Sequence, residues 1–142
     1  MRSGFFAGVL FLFLVASASY AEEVPKLVTG GFETYKTTGS TEAFAVWLKG
    51  SPLESDKTTL ASLKDSFTQV ETMYGKMTGY DVLRTVKISA HTNRVYAEIQ
   101  YEKGPLFMYL DCYRSANGWI VSVMKFHTDA DRILTNEPLN VK

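Results

Sequence analysis

The chain has 142 residues, with 15 basic and 15 acidic side chains and therefore no net charge. A neutral chain without a basic run gives no electrostatic reason to expect nucleic acid or an anionic membrane as a partner. Its single cysteine, Cys112, excludes an internal disulfide. We interpret Cys112 as a small hydrophobic residue buried in a strand.

Residues 1–21 have the pattern of a secretory signal peptide. Arg2 gives a short positive region, residues 5–15 form an apolar run, and Ser19-Tyr20-Ala21 is a small-x-small cleavage site. We expect cleavage after Ala21, which leaves residues 22–142 as one exported domain, periplasmic or secreted. The alternative is an uncleaved membrane anchor, but the apolar run is shorter than the ~20 residues that a span needs. We therefore predict no stable membrane insertion after cleavage.

Two helices are predicted before residue 50. The first covers residues 25–38, and its Gly30-Gly31 pair favours a kink because each glycine costs about 1 kcal/mol relative to alanine. Ser40 is the expected N-cap of a short second helix that reaches Lys49. The apolar positions of both helices are Leu27, Val28, Phe32, Tyr35, Phe44, Trp47 and Leu48.

A long third helix is predicted from Ser51 to Tyr74. Ser51 suits the N-cap, Pro52 the first helical position and Glu54 the third, and Gly75 suits the C-cap. Apolar residues at three- and seven-residue intervals form one stripe for the core, while the opposite face is expected in solvent. The stripe consists of Leu53, Leu60, Leu63, Phe67, Val70 and Tyr74, and the solvent face of Lys57, Lys64, Asp65 and Glu71.

Tight turns are predicted to join four antiparallel strands in a meander. Their ranges are residues 80–90, 94–102, 106–113 and 119–126. Alternating apolar and polar residues indicate one buried face on each of the first two strands. A two-residue turn at Thr92-Asn93 would place Val86 opposite Ile99 and Arg84 opposite Tyr101.

The last two predicted strands are apolar on both faces. Asn117-Gly118 is the predicted turn between them, which would set Tyr109 opposite Phe126. A single helical layer covers one side of a sheet, so we predict a twofold homodimer through a face that holds Tyr109, Met124 and Phe126. Alternatively, the tail over residues 128–142 folds back over that face. The face left for the helices carries Leu106, Met108, Leu110, Cys112, Trp119, Val121 and Val123.

The candidate ligand-binding residues are Arg84, Tyr101 and Trp119. Arg84 is a charge on an otherwise apolar strand face, and its paired donors suit a carboxylate or phosphate; a structural ion pair or a rim position is the alternative. No catalytic residue, cofactor or metal is predicted. The alternation of His127, Asp129 and Asp131 is interpreted as a helical turn capped by Thr128 rather than as metal ligands.

The order of helices and strands resembles the nuclear transport factor 2-like superfamily. The resemblance covers residues 24–134 and rests on the helix–Gly–helix entry from Phe32 to Trp47, the helix ending at Tyr74-Gly75, and the closing run that begins at Gly118-Trp119. It implies an α+β fold in which N-terminal helices pack on a curved, four-stranded antiparallel meander to form a cone with a pocket. Cystatin-like domains share the helix-on-sheet arrangement and are the alternative fold.

Two functions fit this resemblance, and fold alone does not choose between them. The first is an exported non-catalytic domain that binds a small molecule or a partner protein, in the cone or through the sheet face. The second is a cofactor-free isomerase, dehydratase or hydrolase that uses polar residues inside the cone. We favour the first because the pattern offers Arg84 and Tyr101 but no convincing catalytic base.

Overall fold

The computed structural model describes residues 24–134, in which four helices precede a four-stranded sheet and a fifth follows it. The predicted signal peptide and the tail after residue 134 lie outside the described residues. The elements are α1 (Lys26–Thr37), α2 (Ser40–Trp47), α3 (Pro52–Ser55), α4 (Lys57–Tyr74), β1 (Met77–Lys87), β2 (Thr92–Tyr101), β3 (Pro105–Ser115), β4 (Gly118–His127) and α5 (Asp131–Leu134). Helices followed by an open antiparallel sheet confirm the predicted α+β arrangement.

Gly31 allows α1 and α2 to approach closely. α1 is one helix across both of its glycines, and a Cβ built on Gly31 would collide with the indole ring of Trp47. That indole donates its N–H to the carbonyl oxygen of Val28 at 3.0 Å. The glycine that looked like a weak point in the helix is therefore what admits the largest side chain of the core.

The predicted long helix begins as expected but is divided in two. The side chain of Ser51 accepts a hydrogen bond from the backbone N–H of Leu53 at 3.0 Å, which confirms the predicted cap. Asp56 then interrupts the helix and caps α4 by accepting from the N–H of Thr59 at 3.0 Å. Because its carboxylate offers a second cap five residues after the first, a new helix starts there.

Two other predicted helix ends have different outcomes. Ser40 is not a cap: it is the first residue of α2, and the preceding Gly39 makes no side-chain cap bond. Gly75 ends α4 with φ of 84°, as predicted. The predicted apolar stripe of α4 is also confirmed, since Phe67 and Val70 are buried and its other members pack partly buried against the core.

The strands form one antiparallel sheet in the order β1-β2-β3-β4. The predicted two-residue turn at Thr92-Asn93 is wrong, because both residues belong to β2. β1 ends at Lys87, and the N–H groups of Ile88 and Ser89 both donate to the carbonyl oxygen of Thr92. The real connection is thus longer and occupies residues that the apolar alternation had assigned to the strand.

This longer turn changes the pairing of β1 with β2. Val82 lies opposite Ala97 and Arg84 opposite Tyr96, with a shift of register between Val82 and Arg84. Tyr101 lies opposite Met77 and not opposite Arg84. The predicted register between these strands is therefore wrong.

The register of β3 with β4 also differs from the predicted one. Ser115 pairs with Gly118, so the turn consists of Ala116 and Asn117 rather than Asn117-Gly118. Together with a second register shift beside Asp111, this sets Tyr109 opposite Lys125. Since side chains alternate along a strand, the shift beside Asp111 moves Met124 and Phe126 to the core face, whereas Trp119 and Val121, nearer the turn, keep the predicted face.

One face of the sheet and the helices share a single hydrophobic cluster. The ring of Phe126 lies 4.8 Å from that of Phe67 in α4, and Tyr35 of α1 lies against Tyr101 with 6.3 Å between ring centroids. The strand members are Val95, Ala97, Ile99, Tyr101, Leu106, Met108, Leu110, Cys112, Val121 and Met124, with Tyr80, Val82, Trp119 and Phe126 packed at the margin.

Within residues 24–134, no helix is both long and apolar enough to cross a membrane.

The opposite face of the sheet is less apolar. Tyr96 and Ile133 are buried, yet neither belongs to the hydrophobic cluster shared with the helices. α5, which carries Ile133, contacts β3 and β4. The chain that follows β4 thus returns to the sheet, at least as far as Leu134.

Candidate functional site

A pocket of ≈ 740 Å³ opens where the C-terminal ends of α1 and α4 meet the start of β1. Gly75 turns the chain at this point with a φ of 84°, a value that L side chains rarely adopt. A Cβ there would also collide with the carboxylate of Glu102. The polar residues that line the pocket include Tyr35, Lys36, Glu71, Lys76 and Glu102.

A chain of hydrogen bonds leads from this pocket into the core. The Tyr35 hydroxyl donates to Oε1 of Glu71 at 2.5 Å, and the hydroxyl oxygens of Tyr35 and Tyr101 lie 2.9 Å apart. Because the Tyr35 proton is used on Glu71, Tyr101 is the donor to Tyr35. Both tyrosines are about 5–6% exposed, whereas Glu71 is half-buried at the pocket wall. The carboxylate of Glu71 is therefore the end of the chain that a ligand can reach.

Burial raises the pKa of both tyrosines well above the ordinary value. For Tyr35 the hydrogen bond to Glu71 raises the pKa further, and for Tyr101 the negative charge of Glu71 does the same. Desolvation acts this way because it disfavours the phenolate. Both hydroxyls stay protonated at neutral pH and act as hydrogen-bond donors, not as bases.

The mouth of the pocket carries charges of both signs. Lys36 and Lys76 lie beside Glu71 and Glu102, and the backbone N–H of Lys76 donates to Oε2 of Glu102 at 3.3 Å. That bond fixes the carboxylate of Glu102 against Gly75. The arrangement can hold a small polar molecule by donating and accepting hydrogen bonds from several directions.

Of the three predicted ligand-binding residues, only Tyr101 belongs to the chain of hydrogen bonds that leads to Glu71. The guanidinium carbon of Arg84 lies 4.8 Å from the ring centre of Tyr96, its cross-strand partner. Val95 and Ala97, the neighbours of Tyr96, face the core, so Arg84 lies on the opposite face of the sheet. Arg84 therefore does not line the pocket that Tyr101 approaches.

Trp119 lies at the other end of the sheet from Tyr101. It pairs with Arg114 near the end of β3, whereas Tyr101 ends β2 beside the start of β3. The guanidinium carbon of Arg114 is 4.7 Å from the ring centre of Trp119. The length of β3 thus separates two residues that were both predicted to bind the ligand.

The predicted dimer face is not formed by the three residues named for it. Met124 is 8% exposed and Phe126 contacts Phe67, so both belong to the core beneath the helices. Tyr109 lies on the other face, where the guanidinium of Arg94 covers its ring at 4.2 Å. The one-residue change of register is the physical reason, and it also moves Val123 to the face of Tyr109.

Arg94 is held on that outer face by a bidentate ion pair with Asp111. Its Nε and Nη2 atoms donate to the two carboxylate oxygens at 2.7 and 2.9 Å. The hydrogen bond to Asp111 is the main reason that the pKa of Arg94 is raised. Paired guanidinium donors of this kind are stronger than a single contact, which makes the pair a rigid part of the surface.

The remaining titratable candidates have structural roles. Cys112 is fully buried as predicted, and burial, with the charge of Asp111, raises the pKa of its thiol to about 12. Nδ1 of His127 accepts from the N–H of Asp129 at 2.8 Å, and the Asp129 side chain accepts from the N–H of Asp131 at 3.0 Å. The helical turn is confirmed, but these bonds come from the side chains of His127 and Asp129 and not from the expected cap, Thr128. Among residues 24–134, no group of three or more His, Cys, Asp or Glu side chains could hold a metal ion.

Sequence reasoning did not identify Tyr35 and Glu71 as site residues. Tyr35 was assigned to the apolar side of α1, and Glu71 to the solvent face of its helix. The available signal was spacing, because Glu71 follows Phe67 by four residues and therefore lies along the edge of the buried stripe. Its partner on α1 is a tertiary contact that spacing within one helix does not predict.

Comparisons with protein-family models, with curated proteins and with solved structures find no match for this chain. The class that the fold and site define is an α+β domain with a polar pocket that is connected to its core through two buried tyrosines.

Proposed function

We propose that this protein is an exported, non-catalytic binding domain that holds a small polar molecule in the pocket at Glu71. The observation that carries the proposal is the hydrogen-bonded chain from Tyr101 through Tyr35 to Glu71, which ends at the pocket wall. A carboxylate already fixed by one donor is preorganised to accept a second from a ligand hydroxyl or amine.

The state of the buried groups favours binding over catalysis. A cofactor-free isomerase, dehydratase or hydrolase needs an acid or base whose pKa lies near the working pH. The pKa values of Tyr35 and Tyr101 are displaced away from neutrality, which suits permanent hydrogen-bond donors. Around this pocket the polar groups are therefore suited to recognition.

The architectural part of the proposal is a cone like that of the nuclear transport factor 2-like superfamily. The four helices α1 to α4 precede an antiparallel meander, and a buried cluster joins side chains of α1, α2 and α4 to one face of the strands. In such a cone the pocket lies between helices and sheet, which is the position of Tyr35 and Tyr101.

Export rests on the sequence pattern of residues 1–21, and N-terminal sequencing of the secreted protein should begin at Glu22.

A homodimer through the outer face of β3 and β4 is also proposed, with a corrected set of residues. Tyr113 is 43% exposed on that face, and it lies opposite Ile120. Tyr109 and Val123 share the same face, which gives an aromatic and aliphatic surface of the kind enriched in interfaces. The competing occupant is the segment that begins with α5.

Ligand-observed NMR tests the binding proposal. A set of small polyols, amino alcohols and amines is screened against the wild-type protein by saturation transfer. We expect at least one compound to bind and expect Glu71→Gln to reduce its affinity by roughly ten-fold, about 1.4 kcal/mol, because the amide is a weaker acceptor than the carboxylate.

Asp65→Asn is the matched control, since it removes the same charge from an exposed position of the same helix. Its affinity for the compound should equal that of the wild type. If no compound binds, or if both substitutions weaken binding equally, Glu71 is not the recognition group and the proposal fails.

A further inference from the structure

A second pocket, of ≈ 680 Å³, opens at the end of the sheet that carries Trp119. Residues of α1 and α2 form one wall, and the turn between β3 and β4 forms the other. Its apolar surface comes from Leu27, Val46, Trp119 and Ile120. The volume falls within the range of small-molecule sites, which is roughly 300–1,000 Å³.

Two cationic side chains lie at this pocket, against one nearby carboxylate. Lys49 is the charged residue among its described lining residues, and the guanidinium of Arg114 lies over the ring of Trp119. The carboxylate of Glu54 is already used, since its Oε2 accepts the N–H of Gly50 at 2.7 Å. An apolar surface is thus flanked by two cationic side chains.

We propose that this pocket binds a small amphipathic carboxylate, meaning an acid with an apolar chain or ring. The apolar body would pack on Trp119 and Ile120, and the carboxylate would meet the ammonium of Lys49 and the guanidinium of Arg114. Guanidinium and ammonium donors pair favourably with a carboxylate, and the apolar wall supplies the area that anchors the rest of the molecule. This site is separate from the pocket at Glu71 and does not depend on the function proposed there.

Decanoate is the probe, and decyltrimethylammonium is the matched cation with the same alkyl chain. Titration calorimetry below micelle-forming concentrations measures both affinities on the wild-type protein. We expect saturable binding of decanoate and at least five-fold weaker binding of the cation. Trp119 fluorescence should change on decanoate binding, whereas Trp47, buried and bonded to Val28, should contribute no change.

Two substitutions at exposed positions test the charges without affecting the core. Lys49→Met and Arg114→Gln should each weaken decanoate binding by about five-fold, the effect of losing one exposed charge pair. Lys103→Met, at the exposed turn between β2 and β3, should leave the affinity unchanged. Glu71→Gln should also leave it unchanged, which distinguishes this site from the other pocket.

Several results would overturn the proposal. These are equal affinity for decanoate and the cation, undiminished affinity in both Lys49→Met and Arg114→Gln, or no saturable binding of the free acid. Binding to vesicles of an anionic phospholipid without binding to free decanoate would assign the charges to a membrane surface instead.

Discussion

Trp47 donates its indole N–H to the carbonyl oxygen of Val28 at 3.0 Å, and this bond fixes α2 against α1. The indole can take this position because Gly31 has no side chain. Ring contacts then extend from Trp47 to Phe32, Phe44 and Phe67 at centroid distances of 5.1, 5.7 and 6.3 Å. The helical layer that covers the sheet therefore depends on one close approach.

Gly31→Ala should destabilise the fold, and Gly30→Ala should not. The added methyl group at position 31 would collide with the indole, which we expect to cost about 2–3 kcal/mol as overpacking does. At position 30 the methyl group would lie 3.8 Å from Val46, an ordinary contact, and alanine favours the helix by up to about 1 kcal/mol. Urea unfolding measures both free energies. Equal effects of the two substitutions would show that the close approach is unimportant.

The corrected register of β4 predicts opposite outcomes for two adjacent residues. Phe126→Ala should lower the free energy of unfolding by about 2–3 kcal/mol, less than the ~3–5 kcal/mol of a fully buried phenylalanine, because its partly buried ring contacts Phe67. Lys125→Ala should change it by less than about 0.5 kcal/mol, since Lys125 is exposed on the other face. The sequence-based register, with Phe126 on a solvent or dimer face, requires a small effect of Phe126→Ala in the monomer.

The element types could be predicted from the sequence, but the strand register could not. The stripe from Leu53 to Tyr74 and the alternation in β2 each select one kind of structure through their periodicity. Register depends on where the turns fall, and the turn at Ala116-Asn117 differs by one residue from the stronger Asn117-Gly118 signal. Local pattern does not specify the register shift beside Asp111 either, and that shift decides which of Val123 and Met124 faces the core.

The candidate site was predictable only in part for a related reason. Tyr101 was identified from its strand, but its partners Tyr35 and Glu71 come from two helices. The distance along the chain between these residues is large, so the contact depends on how the helices pack. Packing of this kind leaves no short-range spacing for a sequence pattern to detect.

Stability should fall at alkaline pH because the pKa values of Tyr35 and Tyr101 are raised in the folded state. A tyrosine whose pKa is higher in the folded state than in the unfolded state stabilises the fold. This stabilisation is fully present below the pKa of the unfolded state, near 10, and is lost as the pH rises toward the pKa of the folded state. Each tyrosine should then lower the free energy of unfolding by up to about 1.4 kcal/mol per pH unit above 10.

Urea unfolding at a series of pH values from neutral to alkaline measures this slope. Tyr101→Phe should be less stable than the wild type at neutral pH, because the hydroxyl bond is lost, but should show a shallower alkaline decline. An identical slope in the two proteins would mean that burial of the Tyr101 hydroxyl does not control its ionisation.

The proposed homodimer is tested by a charge on its outer face. Tyr113→Glu should shift the protein from dimer to monomer in sedimentation equilibrium, because an unpaired carboxylate would be buried in the interface. Met73→Glu is the control, since Met73 is 56% exposed on α4, away from the sheet face. A wild-type protein that is monomeric at micromolar concentrations would exclude the dimer.

The pocket at Glu71 is the proposed binding site. Amide chemical-shift mapping with the ligand that the saturation-transfer screen identifies is its most direct measurement. The largest shifts should fall on the amides of Gly39, Gly75 and Lys76, which line the pocket, and should be strongly reduced in Glu71→Gln at the same ligand concentration. Shifts confined to the outer face around Tyr109, or unchanged in Glu71→Gln, would contradict it.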